Sequence, residues 1–412
     1  MDFAYHYTKE QEAFRQEIRT WLKKNVPEEM KRPLPRIGLV ADDYSEEQYR
    51  FWRQTHPKLA EKGWIHPTLP KEYGGGGLTP GHETIISEEF DRARIPRDFS
   101  NPYVCPPLLV WATEEQKQKF LVPIVKAQKA AFQLFTEPNA GSDLASLQSR
   151  AVRDGDDWVL TGQKIFITGT GDPDLFLGPF ITDPDAPRHR NLGFFVIPCP
   201  WPGLEIRRQN LLSGYDSLFV FMDNVRLPGD HLIGGDHQGW QVTGTTLEIE
   251  HGGRGAAFPQ DEAMESLFEY VRTTRRFGET LGSDPIVQQA IMAAYGESQI
   301  DMLLAKRNYW MYQARQEMSY HGSQFSLWGR EYRMRNADRA RDIMGMDSLL
   351  GTDEPRAPFK GLQEVYQRAS LVGAHPGGTI EVQKVIVARR LGISRTRERA
   401  AATPSTSGVA GV

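Results

Sequence analysis

The sequence predicts an α+β chain in three successive parts: helices, then a β domain, then a helical bundle. Three observations carry this prediction. Apolar residues recur at three- and four-residue spacing from about residue 9 to 128. Short apolar segments split by turn signals replace them up to Pro228, and long helical patterns return after Gly239. No βαβ alternation occurs, which argues against a parallel nucleotide-binding sheet.

In the first part, Phe14, Ile18, Trp21 and Leu22 set the helical period, and Phe120, Leu121 and Ile124 repeat it later. Breakers stand between them at Pro33 to Pro35 and Gly74 to Gly77. The glycine run has no strand before it and no Gly-Lys-Ser/Thr after it, so it reads as a flexible turn rather than a phosphate loop. In the second part the apolar segments are Trp158 to Leu160, Ile165 to Ile167, Phe194 to Ile197 and Phe219 to Phe221, with a turn at Asp154-Gly155-Asp156. The third part runs through Leu267, Val271 and Ile286 to Met311, and a last helix follows Gly377-Gly378-Thr379. Beyond about Arg395 the chain is Ala, Ser, Thr and Gly without periodicity, the composition of a disordered tail. The expected boundaries are 1–128, 129–236, 237–395 and a tail at 396–412.

At 412 residues, 39% hydrophobic and 25% charged, the chain is long enough for two or three substantial cores. A formal charge of -4 leaves no broad basic field, which excludes nucleic acid and an anionic membrane as partners. No apolar run approaches the roughly 20 residues needed to span a bilayer, and the N-terminus lacks a basic start followed by an apolar stretch, so a cytoplasmic location is expected. Cys105 and Cys199 are the two cysteines, too few for a disulfide framework or a thiolate metal cluster; no metal is expected. Both sit beside prolines, a context for packing rather than thiolate activation.

The sharpest segment is Phe132-Gln-Leu-Phe-Thr-Glu-Pro-Asn-Ala-Gly-Ser-Asp143, followed by Gly162-Gln-Lys-Ile-Phe-Ile-Thr168. Such a turn frees backbone N–H groups and hydroxyls, and the strand end offers an aromatic wall beside a hydroxyl, suitable for a polar heteroaromatic ring. On the residues alone, an ordinary hairpin with a buried Phe is the commoner outcome. Further on, Gly377-Gly378 leads into a helix capped by Thr379, whose positive end suits a pyrophosphate.

Thr136-Glu-Pro-x-Ala-Gly-Ser-Asp143 with Gly162-x-Lys-x-Phe-Ile-Thr168 resembles the flavin signature of the acyl-CoA dehydrogenases. Similar stretches follow in that family's order: Ala112 to Lys117, Asp223 to Pro228, Leu232-Ile233-Gly234, Gly239-Trp240, and Gly377 to Gln383 with Ile386 to Arg390. The resemblance implies an N-terminal helical domain, a middle β domain and a C-terminal four-helix bundle. It also implies FAD, an acyl-CoA substrate, an electron-transferring flavoprotein as acceptor, and a homo-oligomer, dimer or tetramer. By the same resemblance Gln133, Phe135, Thr136 and Ser142 line the flavin, Ser142 also faces the CoA chain, Phe166 packs on the ring, and Thr168 bonds near its reactive nitrogen. Thr379 and Glu381 meet the FAD phosphates.

Desaturating a thioester needs a carboxylate to take the α-proton. Many relatives place a Glu where this chain has Gly377, which has no side chain to act as a base. Members resembling the isovaleryl- and long-chain-specific enzymes supply it from Leu-x-x-Glu-Arg, matched here by Leu247-Glu248-Ile249-Glu250-His251, so Glu250 is the expected base, although Glu248 is equally acidic. His251 replaces the usual Arg, with Arg254 one turn later, and these two join Ser142 and Gly377 as expected substrate contacts. In Arg272-Thr-Thr-Arg-Arg-Phe-Gly278, Thr274 stands where the family's Arg would reach a neighbouring FAD; Arg275 or Arg272 takes over that role. Asp342 replaces a Gln near Gly345. Two alternatives stay open: an oxidase or monooxygenase of the same fold, and a non-catalytic subunit of a mixed oligomer.

Overall fold

The computed structural model describes residues 6–32, 34, 44–214, 216–251 and 255–394, without the side chains of 249–251. Arg254, the tail expected from 396, most of the Pro33 to Tyr44 segment, and the side chains of Glu250 and His251 therefore lie outside the described residues.

The first part is helical, and its helices start where capping residues direct. Thr8, Ser45 and Thr113 each form a capping box with a glutamine three residues on, opening α1 (Lys9–Asn25), α2 (Glu46–Glu61) and the short α5 (Glu114–Gln116). Between the last two stand α3 (Pro80–Arg92) and α4 (Cys105–Trp111), and α6 (Val122–Val125) closes the part. The glycine run is pinned rather than flexible: the N–H groups of Gly74, Gly75, Gly76 and Gly77 bond the carbonyls of Lys71, Pro70, His66 and Leu69. A Cβ at Gly75 would stand 2.3 Å from the Leu69 oxygen, so the run permits close backbone packing and holds no N–H for a phosphate.

The β part holds β1 (Ala131–Gln133), β2 (Arg150–Asp154), β3 (Asp157–Thr168), β4 (Leu175–Ile181), β5 (Leu192–Pro198), β6 (Leu204–Asn210), β7 (Asp216–Pro228) and β8 (Leu232–Ile233). Their order is β6-β7-β3-β2-β4-β5-β8, with β1 beside β4. Trp158 to Leu160 and Ile165 to Ile167, separate in the sequence pattern, are one long strand interrupted by irregular register.

Helices resume with α7 (Gly239–His251) and α8 (Glu262–Thr273), followed by a small hairpin of β9 (Arg275–Arg276) and β10 (Glu279–Thr280). Then come α9 (Pro285–Gln313), α10 (His321–Met344), α11 (Leu362–Val372) and α12 (Ile380–Arg390). One core runs from Ile18, Trp52 and Phe90 into Leu160, Phe176 and Val220, joining the first helices to one sheet face. A second joins α4, the other face and Val242 of α7, while Met264, Leu267, Ile291 and Ile343 form a core of the bundle alone.

Candidate active site

The turn after β1 is locked to β3 by a buried ion pair. Lys164, wholly buried, places Nζ 2.9 Å from Glu137 Oε1 and donates to the carbonyls of Phe135 at 3.2 Å and Pro179 at 3.1 Å. Glu137 also accepts from the N–H of Gln148 at 2.6 Å and Ser149 at 3.0 Å. Burial by itself would raise the Glu137 pKa, yet the ammonium and these donors hold the carboxyl below its ordinary value. Burial lowers the Lys164 pKa, and Glu137 opposes that shift. Backbone bonds finish the lock: Glu137 and Ala140 exchange N–H and carbonyl, and Ile165 N–H donates to Thr136 O at 2.8 Å.

Beyond Lys164 the strand breaks its alternation. Lys164 pairs with Val220 and Ile167 with Leu218, so three steps on β3 oppose two on β7, a β-bulge. Phe166 sits in it at φ 57° with 53% of its surface exposed, although a phenylalanine ring ordinarily seeks the core. The Thr168 hydroxyl donates back to Phe166 O at 3.3 Å. From the loop before α4, Asn101 Nδ2 donates to Thr168 O at 2.9 Å and Asn101 Oδ1 accepts from Gln133 N–H at 2.7 Å, tying both ends of the motif together. An open aromatic face between the Thr136 turn and the Thr168 hydroxyl fits a flat, polar heteroaromatic ring such as a flavin.

A second feature opens α12. Gly377 and Gly378 take φ of 63° and 79°, and Thr379 caps the helix by accepting from Val382 N–H at 3.3 Å. The guanidinium of Arg330 on α10 binds the carbonyls of Pro376 at 2.6 Å, Gly377 at 3.2 Å and Gly378, and buried Gln383 donates to Gly377 O at 2.8 Å. Three carbonyls are thus held away from the helix entrance, whose first-turn N–H groups suit an anion.

Gln133, Thr136, Phe166 and Thr168 are brought together by shared backbone bonds. Phe135 is not exposed with them: its ring is buried edge-on to Phe194, so only its backbone can meet a ligand. Ser142 is exposed in the loop beyond Ala140. Thr379 and exposed Glu381 begin α12, and Gly377 contributes backbone only. Arg275 lies apart on the bundle hairpin, bonding Gly278 O, with Phe277 wholly exposed at the tip. Sequence reasoning gave no role to Asn101, Glu137, Arg330 or Gln383, and quoted Lys164 only as a motif letter. Among the described residues no cluster of His, Cys, Asp and Glu could hold a metal ion, and no helix is long and apolar enough to cross a membrane.

A helical part, a β part with an exposed aromatic bulge, and a bundle entered through a capped glycine loop together define a ligand-binding α+β fold. Its family follows from three matches: "Acyl-CoA dehydrogenase, N-terminal domain" over residues 8–128, "middle domain" over 132–225 and "C-terminal domain" over 237–392. The chain belongs to the acyl-CoA dehydrogenase family and is an oxidoreductase acting on the CH–CH group of acyl-CoA. It is similar to Acyl-CoA dehydrogenase IpdE1 of Mycobacterium tuberculosis, 29% identical over 402 residues that cover 93% of this chain and 98% of that one. FadE26 of the same organism is 27% identical over 393 residues, 92% and 96% of the two chains. The solved Tcur3481-Tcur3483 steroid ACAD has a TM-score of 0.79 at 26% identity, covering 97% of this chain and 100% of that one.

Proposed function

We propose that this chain is an FAD-dependent acyl-CoA dehydrogenase that converts a CoA thioester to its 2,3-enoyl-CoA in the cytoplasm and passes electrons to an electron-transferring flavoprotein. The observation that carries the reading is the exposed Phe166 bulge, clamped to the Thr136 turn by the buried Glu137–Lys164 pair. When bound, FAD supplies the redox chemistry, accepting the hydrogen that leaves the β-carbon. Phe166 packs on the ring, Thr136 and Thr168 offer hydroxyls at its edge, and Ser142 lies between ring and CoA chain. Thr379 and Glu381 hold the phosphates at the α12 entrance, and Arg275 reaches a neighbouring subunit's FAD in an oligomer. Glu250, assigned from its sequence position on α7, takes the α-proton; His251 and Arg254 contact the thioester, and Gly377 leaves room for it.

The test is an anaerobic flavin-bleaching screen with straight, branched, aromatic and steroid-like CoA esters. Bleaching by at least one class is expected, and Glu250→Gln should slow it at least ~100-fold, within the range of a lost general base. Near wild-type bleaching in that variant would remove Glu250 from the mechanism.

A mixed oligomer is a second reading, favoured by the paired chain names of the steroid ACAD. Its mark is a chain that, purified alone, retains no flavin.

A further inference from the structure

One edge of β1 is held by β4, where Leu134 N–H donates to Leu177 O at 2.7 Å. Among the described residues no strand covers the other edge, whose N–H and C=O groups must find partners elsewhere. The loop before α4 supplies them. Ala131 N–H donates to Ser100 Oγ at 3.1 Å, Asn101 N–H donates to Ala131 O at 2.9 Å, and Gln133 N–H donates to Asn101 Oδ1 at 2.7 Å.

Asn101 then does what Ser100 does not. Its Nδ2 crosses to the end of β3 and donates to Thr168 O at 2.9 Å, so one planar amide spans the two segments that flank the proposed ring site. That task selects asparagine. It requires an acceptor and a donor fixed in one plane on a short stem; aspartate has no donor when ionised, serine has a single oxygen for both partners, and glutamine is longer by a methylene. A Cβ on Gly169 would stand 2.1 Å from the Phe132 ring, so β1 and the chain just past Thr168 are already in contact. With closer approach barred, loss of the amide lets Thr168 relax away from β1.

Resting on the dehydrogenase reading, in which Thr168 bonds beside the reactive nitrogen of the flavin, we infer that Asn101 is a positioning residue: its amide holds Thr168 at the ring edge and thereby sets the balance between oxidised and reduced flavin. A reduced ring carries added electron density, which donors at its edge stabilise and a nearby carboxylate opposes.

The test reads three properties of the FAD-loaded protein: its redox equilibrium with a reference dye, its visible absorption and its thermal unfolding, at about pH 8, where a carboxylic acid is ordinarily ionised. Asn101→Asp keeps the acceptor for Gln133 and loses the donor to Thr168. It should shift the equilibrium toward oxidised flavin by about 10-fold, equivalent to about 30 mV for a two-electron couple, and move the absorption band. Asn101→Ser, whose hydroxyl serves one partner at most, should shift both the same way and decides alone if Asn101→Asp does not fold. Ser100→Ala is the control: it strips a bond from the same edge without touching Thr168, so it should lower the unfolding midpoint and leave equilibrium and spectrum at wild type. A wild-type equilibrium and spectrum in the Asn101 variants, or an equal shift in Ser100→Ala, would overturn the inference and leave the dehydrogenase reading intact. Flavin that the dye titrates but no CoA ester bleaches would sink that reading instead, and a wild-type protein that retains no FAD would sink both.

Discussion

Taking the Lys164 ammonium out of water costs several kcal/mol, and the sheet tolerates it because Glu137 and two carbonyls stand within reach. Lys164→Met would leave the buried Glu137 carboxylate without its counter-ion, with only the Gln148 and Ser149 N–H donors remaining, so we expect a loss of about 3–5 kcal/mol, read as a lower urea midpoint. The Glu137 carboxyl has a depressed pKa, so its stabilisation is present at neutral pH and disappears as pH falls through the folded-state value. Asp301 has the opposite sign. Its pKa rises from 3.8 to about 6, so the stability it contributes is full in acid and lost as pH climbs through 6, with Asp261, Tyr332 and Arg333 facing it. Thermal unfolding should show Asp301→Asn more stable than wild type at pH 7, by on the order of 2 kcal/mol, with the gap closing below about pH 4. Neither carboxylate's role was legible in the sequence. Lys164 reads as the polar residue before the apolar segment Ile165 to Ile167, and its burial follows only when Glu137 and the Phe135 and Pro179 carbonyls close on it, while Asp301 acquires its surroundings only when α8 and α10 meet α9.

At the scale of elements, β3 separates what stabilises from what functions. Gly162, at φ 148°, would place a Cβ 2.2 Å from the Ser149 hydroxyl, so Gly162→Ala should destabilise the sheet by more than 1 kcal/mol. Phe166→Ala removes a half-exposed ring and should leave the unfolding midpoint within about 0.5 kcal/mol, while the purified protein loses its yellow absorbance. If that variant unfolds like Gly162→Ala yet keeps its colour, the bulge is structural only. Helical stretches, the Thr379 cap and the strand segments were legible because apolar periods and caps are local signals, although the capping boxes at Thr8, Ser45 and Thr113 went unread. The bulge was not, since a register shift belongs to two strands at once. Asn101 escaped for a related reason: the groups it joins are 32 and 67 residues away. The glycine run was placed correctly as a turn, but its rigidity depends on backbone partners that no composition reveals.

For the whole molecule, the first helices and one sheet face share a core, whereas the bundle keeps its own. Native-state hydrogen exchange should therefore show α8, α9 and α10 opening as a unit separate from α1, α2 and the sheet; one common opening free energy across both would contradict it. The three-part order was readable from sequence because each part has its own period, but the cavity of about 980 Å³ between the first helices and the bundle was not, being assembled from segments far apart in the chain. The bulge on β3 carries an evolutionary corollary. Alternation along the strand would be restored by losing the single codon for Phe166, which would keep Lys164 and Ile167 opposite Val220 and Leu218 and remove the ring together with the bulge. A lineage can thus shed the chemistry in one mutational event and inherit the scaffold whole.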